Sequence, residues 1–168
     1  DATRETVLQA ARQGTLMELL QQVPVEKDDV FFLEPGTIHA LGAGALVAEI
    51  QESSNLTYRL YDYDRVDKQG NKRPLHLEKA LAVADLHSSA APRQPMRVLR
   101  YRPGVASELL SRCKYFEVYR MLLNTERRQR VTYQADALAF RVLLCVAGCG
   151  SIRFGQETLL FYKGDCVF

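Results

Sequence analysis

The chain has 168 residues, of which 47% are hydrophobic and 25% charged, with a net charge of +2. That length holds one ordinary domain or two small ones, and the composition is that of a folded globular protein rather than a disordered one. A charge this small, without a lysine- and arginine-rich block, argues against a nucleic-acid partner. No apolar run approaches the roughly 18–20 residues that cross a membrane. The first residues, Asp1-Ala2-Thr3-Arg4-Glu5, do not read as a signal peptide. The cysteines, Cys113, Cys145, Cys149 and Cys166, lack CxxC spacing. They are expected to be buried, reduced thiols of a cytoplasmic protein.

Residues 3–22 read as helical. Thr3 is an acceptable N-cap without a full capping box, and Val7, Leu8, Ala10 and Ala11 form an apolar stripe that ends at Gly14. Thr15 and Glu18 predict a capping box for a second short helix, whose apolar face is Leu16, Leu19, Leu20 and Val23 and which Pro24 stops. The stretch 28–65 then organises the chain. It predicts strands over 30–33, 37–41, 45–51 and 57–63, punctuated by the Pro35-Gly36 turn, the Gly42-Ala43-Gly44 bend and the polar Ser53-Ser54-Asn55. Residues 76–85 predict a helix with Leu77, Ala80, Leu81 and Ala84 on one face.

Residues 87–96, HSSAAPRQPM, read as a linker. Beyond it strands are expected near 115–124, 129–134, 139–146, 151–154 and 157–162, with a solvated turn over 126–130. Regular short strands with glycine turns point to a β-sandwich or jelly roll. Asp28-Asp29-Val30-Phe31-Phe32 and Gly164-Asp165-Cys166-Val167-Phe168 are alike, a weak repeat that suggests two related β units.

Three residues in 28–65 bear chemistry. His39 follows the Pro-Gly turn on a predicted strand; it is either a packed or surface residue or, pointing into a barrel mouth, a metal ligand. Glu49 and Gln51 share a face of the next strand, since side chains alternate with period two. Arg59 lies on the strand after that. Each of Glu49 and Arg59 taken alone reads as a surface charge; together with His39, on adjacent antiparallel strands, they can converge on one cavity.

The run Phe31-Phe32-Leu33-Glu34-Pro35-Gly36-Thr37-Ile38-His39-Ala40-Leu41-Gly42, followed by the run from Glu49 to Arg65 that contains Thr57-Tyr58-Arg59-Leu60-Tyr61-Asp62-Tyr63-Asp64-Arg65, resembles the type I mannose-6-phosphate isomerases, in particular the short bacterial form. The resemblance continues through Leu75-His76-Leu77-Glu78-Lys79-Ala80 and, more loosely, through the second β unit. It implies a mainly β fold of cupin-type jelly-roll elements, a bicupin with a helical lead-in. Residues 1–86 would then hold the lead-in, the strands of the first, catalytic cupin unit and a short helix, and residues 97–168 a second, incomplete unit. It implies interconversion of mannose 6-phosphate and fructose 6-phosphate with one zinc ion per intact subunit. By the same resemblance His39 is a zinc ligand, Arg59 faces the substrate and Glu49 is the acid/base.

Asn55 stands where relatives often carry Asp. The family's other zinc ligands come from an upstream cupin segment that nothing here matches; His76 and His87 lie at a helix start and in the linker. The chain is therefore expected to be a fragment lacking that segment and the C-terminal end, with activity belonging to the intact parent, a cytoplasmic monomer acting on a sugar phosphate. The alternative is a non-catalytic bicupin that binds a sugar or sugar phosphate. A metal-dependent oxygenase would want an HxH pair, which is absent.

Overall fold

The computed structural model describes residues 2–87, 98–124, 127, 130–134 and 138–168. The first helix, α1 (Arg4–Gln13), buries Val7, Ala10 and Ala11. Its N-terminus carries a capping box after all, built with threonine in place of the usual glutamate. The Thr6 N–H donates to Thr3 Oγ1 at 3.2 Å and the Thr3 N–H donates to Thr6 Oγ1 at 2.9 Å. Gly14 ends the helix at φ 75°, as its position predicts.

The second predicted helix shrinks to a 3₁₀ turn, Leu16–Leu19, and Thr15 makes no side-chain cap bond. A single turn repays little of the cost of nucleating a helix, and Leu20 is already extended. Leu16 nevertheless plugs into the core. Helix α2 (Leu77–Val83) lies inside the predicted 76–85 and buries Ala80 and Leu81. Val7, Leu16, Leu60, Ala80 and Leu81 form the core cluster, with Leu8, Ile38, Tyr61, Leu77 and Leu86 packed around it. Burying each large aliphatic side chain contributes about 1.5–3 kcal/mol.

The strands predicted over 30–63 do not form a sheet. Among the described residues, pairing in this stretch is confined to isolated bridges, including Thr37 with Asp85 in parallel and Val66 with Lys72 in antiparallel. Residues 40–51 are exposed at every position. Alternating β-formers make a segment competent for pairing, but a ladder also needs a neighbouring backbone in register.

The later residues do form sheets, all antiparallel. β1 (Arg100–Arg102), β2 (Val105–Arg112) and β3 (Glu117–Leu123) make a three-stranded sheet in that order. Neither β1 nor β2 was anticipated, although the Pro103-Gly104 pair between them is a turn signal. β2 buries Val105, Ala106 and Glu108 and carries a bulge near Leu109–Ser111. β3 falls inside the predicted 115–124.

β4 (Leu143–Leu144) is the remnant of the strand expected over 139–146, and it pairs with β7 (Cys166–Val167). β5 (Cys149–Phe154) and β6 (Glu157–Tyr162) form a hairpin close to prediction. Residues 130–134 are not in a strand. The predicted linker, apart from His87, and most of the turn at 126–130 lie outside the described residues. The cysteines are all free thiols, but Cys149 and Cys166 are exposed and Cys113 and Cys145 half-buried rather than buried as expected.

Candidate active site

Helix α2 supports two of the expected site residues, one at each end. At its C-terminal end sits the Pro35-Gly36 turn, closed by the Thr37 N–H donating to the Glu34 carbonyl at 3.1 Å. Proline followed by a glycine at φ 93° is the type II arrangement. The Asp85 N–H donates to the Gly36 carbonyl at 2.9 Å. A Cβ on Gly36 would lie 2.7 Å from the Val83 carbonyl oxygen, so the turn approaches the helix end as closely as a glycine allows.

From this seat the chain runs through Ile38, which packs on the core, to His39, which is exposed. Alternation along extended backbone sends the two side chains to opposite sides. His39 Nδ1 lies 2.8 Å from the Thr37 carbonyl oxygen. A carbonyl only accepts, so Nδ1 carries the proton and Nε2 of the neutral ring presents its lone pair outward. This backbone-fixed tautomer is the one metal-bound histidines commonly show. The imidazole thus fits the role of one metal ligand. Among the described residues no group of three or more His, Cys, Asp and Glu side chains is placed to complete the set.

At the N-terminal end of α2 the chain is pinned through Leu60, which is buried in the core cluster. Its neighbour Arg59 is half-buried. The His76 N–H donates to the Arg59 carbonyl at 2.8 Å, and the Arg59 N–H donates to His76 Nδ1 at 3.2 Å. The Arg59 guanidinium reaches the Pro74 carbonyl at 3.4 Å through Nη1, and its Nε stands 3.9 Å from Asp62 Oδ1.

Asp62 is only 6% exposed and gathers arginines. Arg73 grips it from two sides, Nε to Oδ2 at 2.7 Å and Nη2 to Oδ1, while Arg65 Nη2 bonds Oδ1 at 2.6 Å. The Arg73 hydrogen bond, opposed by desolvation and aided by Arg65, holds the Asp62 carboxyl at about 2, below its ordinary 3.8. The following turn places Tyr63 and Asp64 at φ 55° and 53°. Such left-handed non-glycine residues cost on the order of 1–3 kcal/mol each. The turn is closed by the Arg65 N–H to the Asp62 carbonyl at 3.0 Å and by Lys72 on Asp64 at 2.6 Å.

The structure therefore ties His39 and Arg59 to one short helix, about 10 Å long for its seven residues. Glu49 sits on the exposed run 40–51. His87 is exposed and bonds Asp85 at 2.6 Å. Sequence reasoning missed Asp62, Arg73 and the use made of His76. The signal available was an acidic residue three positions from Arg59, inside a run holding further arginines at 65 and 73.

The helical lead-in followed by antiparallel hairpins makes this a mainly β protein. No protein-family model matches the chain. It is 34% identical over 163 residues to the mannose-6-phosphate isomerase of Streptococcus mutans, covering 97% of this chain and 49% of that protein. A mannose-6-phosphate isomerase of Bacillus subtilis is 33% identical over 166 residues, covering 97% of this chain and 50% of the relative. The crystal structure of the mannose 6-phosphate isomerase from Bacillus subtilis superposes with a TM-score of 0.55 at 29% identity, covering 67% of this chain and 34% of that one. The resemblance carried by the GTIHA and TYRLYDYDR strings is borne out over nearly the whole chain. The chain spans about half the length of the curated relatives it matches. No helix among the described residues is long and apolar enough to cross a membrane.

Proposed function

We propose that this chain is the part of a mannose-6-phosphate isomerase that supplies one metal-ligating histidine, one arginine and one acid/base carboxylate to the site. The observation that carries this reading is the pairing of a tautomer-fixed His39 and a pinned Arg59 at the two ends of α2, in a sequence similar throughout to such isomerases. A zinc ion, held in part by His39 through Nε2, would supply Lewis-acid polarisation of the sugar oxygens.

Glu49 takes the proton from C2 of the aldose and returns it to C1, while the hydroxyl proton on O2 passes to O1. Arg59 offers a planar pair of N–H donors to an anionic oxygen, either of the enediolate or of the phosphate. A full zinc site yields on the order of 10 kcal/mol or more. One imidazole does not, so the 168-residue chain by itself is expected to bind zinc weakly, with further ligands supplied by the parent. In this reading residues 1–86 and 97–168 are two cupin units of a monomeric cytoplasmic enzyme, in keeping with the four free thiols.

The test is a coupled assay of the intact parent on mannose 6-phosphate, with and without a chelator. Activity lost to the chelator and restored by zinc is expected. No turnover with metal restored, together with retained binding of mannose 6-phosphate, would instead favour a sugar-phosphate binding module. Tight stoichiometric zinc on the isolated chain, lost in His39→Ala, would show that this chain completes the site without outside ligands.

A further inference from the structure

We propose that His76 is a positioning residue for Arg59, acting through the Arg59 main chain rather than through metal or substrate. The inference rests on the reading of Arg59 as the site arginine.

His76 is the residue at the N-cap of α2, where a side chain ordinarily accepts a hydrogen bond from the first turn of its own helix. It makes no such bond. Its imidazole turns back across 17 residues and accepts the Arg59 N–H at Nδ1, 3.2 Å away. Its own N–H donates to the Arg59 carbonyl at 2.8 Å. Both polar backbone groups of Arg59 therefore end on one residue. The ring also lies against Tyr58, with centroids 6.2 Å apart, so the residue preceding Arg59 is braced by the same imidazole.

The other side of the strap is rigid. His76 leads directly into Leu77, Ala80 and Leu81, which pack on Leu60 in the core. Leu60 and His76 thus hold Arg59 from its two sides, and the Pro74 carbonyl holds its guanidinium from the same segment. This arrangement gives the histidine a chemical requirement. Nδ1 accepts only when it is unprotonated, so the neutral ring carries its proton on Nε2. Without that acceptor, the half-buried Arg59 N–H has no imidazole lone pair and the main chain around Arg59 gains freedom. A small displacement of an oriented catalytic group lowers turnover more than it lowers ground-state binding.

The experiment compares His76→Asn and His76→Phe in the intact enzyme. The Asn side-chain oxygen stands close to the position of Nδ1 and accepts the same N–H; Phe keeps a ring against Tyr58 and accepts nothing. His76→Phe is expected to lower kcat about tenfold with KM for mannose 6-phosphate changed less than about threefold, and His76→Asn to restore kcat to within about threefold of the parent. Zinc content should be unchanged in both. A long-range ¹⁵N–¹H spectrum of the unmodified protein should show Nδ1 of His76 unprotonated and Nε2 protonated.

Equal loss in the two variants, loss of zinc in His76→Phe, or a protonated Nδ1 would each overturn the proposal. Arg59→Ala separates it from the reading beneath it. If Arg59→Ala impairs turnover and His76→Phe does not, only the positioning role falls. If Arg59→Ala is inert, the assignment of Arg59 falls and the positioning role with it. Should His76→Phe fail to fold, the nitrogen spectrum still decides.

Discussion

The buried residues of the first half, Val7, Leu16, Leu60, Ala80 and Leu81, are spread across most of its sequence, and two helices with one 3₁₀ turn gather them into a core. The second half is built from neighbours. β2 pairs with β3 and β5 with β6 through short connections, and large side chains such as Phe154, at 86% exposure, stay in solvent. Local antiparallel pairing needs only a turn and a matching register, so these hairpins close with little loop entropy. The strand-like segments around His39, Glu49 and Arg59 need partners from farther away. Two of them find substitutes: Gly36 and Thr37 take the C-terminal end of α2, and Arg59 takes its N-terminal end. The third segment, 45–51, finds none among the described residues, and Glu49 stays exposed. A site residue is placed here by what its neighbour packs against, Ile38 for His39 and Leu60 for Arg59, rather than by membership in a sheet.

Perturbing each half separately sharpens this contrast. The largest effect is expected from Arg59→Ala, which should lower kcat of the intact enzyme by about 10²–10³-fold while leaving zinc content and melting temperature close to the parent. Unaltered kinetics would remove Arg59 from the site.

Arg120→Ala should act on the second half. Arg120 Nε bonds the buried Glu108 at 2.6 Å across the β2–β3 pair, and Nη1 reaches Asp28 at 2.7 Å. Removing this charged hydrogen-bond partner from the buried Glu108 carboxylate is expected to cost about 1–3 kcal/mol in denaturant unfolding. Because Asp28 belongs to the first half, the loss should also loosen the contact between the two halves, seen as a broader unfolding transition.

Gly36→Ala is expected to cost about 2 kcal/mol, the combined penalty of a left-handed alanine and of a Cβ pressed on the Val83 carbonyl. Amide exchange should quicken at Thr37 and Asp85 and stay unchanged in β5 and β6. Uniform quickening would show that the seat on α2 is not a local feature.

The finest probe is pH. The folded-state value of Asp62, about 2, lies below its ordinary 3.8, so between these values the unfolded chain binds the proton more readily than the folded one. Stability from this carboxylate is complete above about pH 4 and is lost as pH falls toward about 2. Asp62→Asn should flatten that part of the acid unfolding curve, and an unchanged slope would place the network's contribution elsewhere.

Much of this was legible in the residues. The strands expected at 151–154 and 157–162, helix α1, the end of α1 at Gly14 and the Pro35-Gly36 turn follow from local chemistry that needs no distant partner. His39 and Arg59 stood out because their surrounding strings are specific. The role of His76 was not legible, because nothing in a helix-start histidine says that its ring will turn away from its own helix. Asp62 was hidden for a similar reason: nothing local in an aspartate among tyrosines says that Arg59, Arg65 and Arg73 will gather around it.

By itself the sequence determined the mainly β class, the helical lead-in and the hairpin turns, because each of these depends on side-chain type and spacing within a few positions. Tertiary structure alone decided that α2 holds Arg59 and His39 at its two ends, that Asp62 is a buried hub, and that the segment bearing Glu49 finds no strand partner among the described residues. Those outcomes depend on which backbone groups and apolar faces meet across tens of residues, and hydrogen-bond satisfaction at such distances is a property of the packed chain rather than of any local pattern.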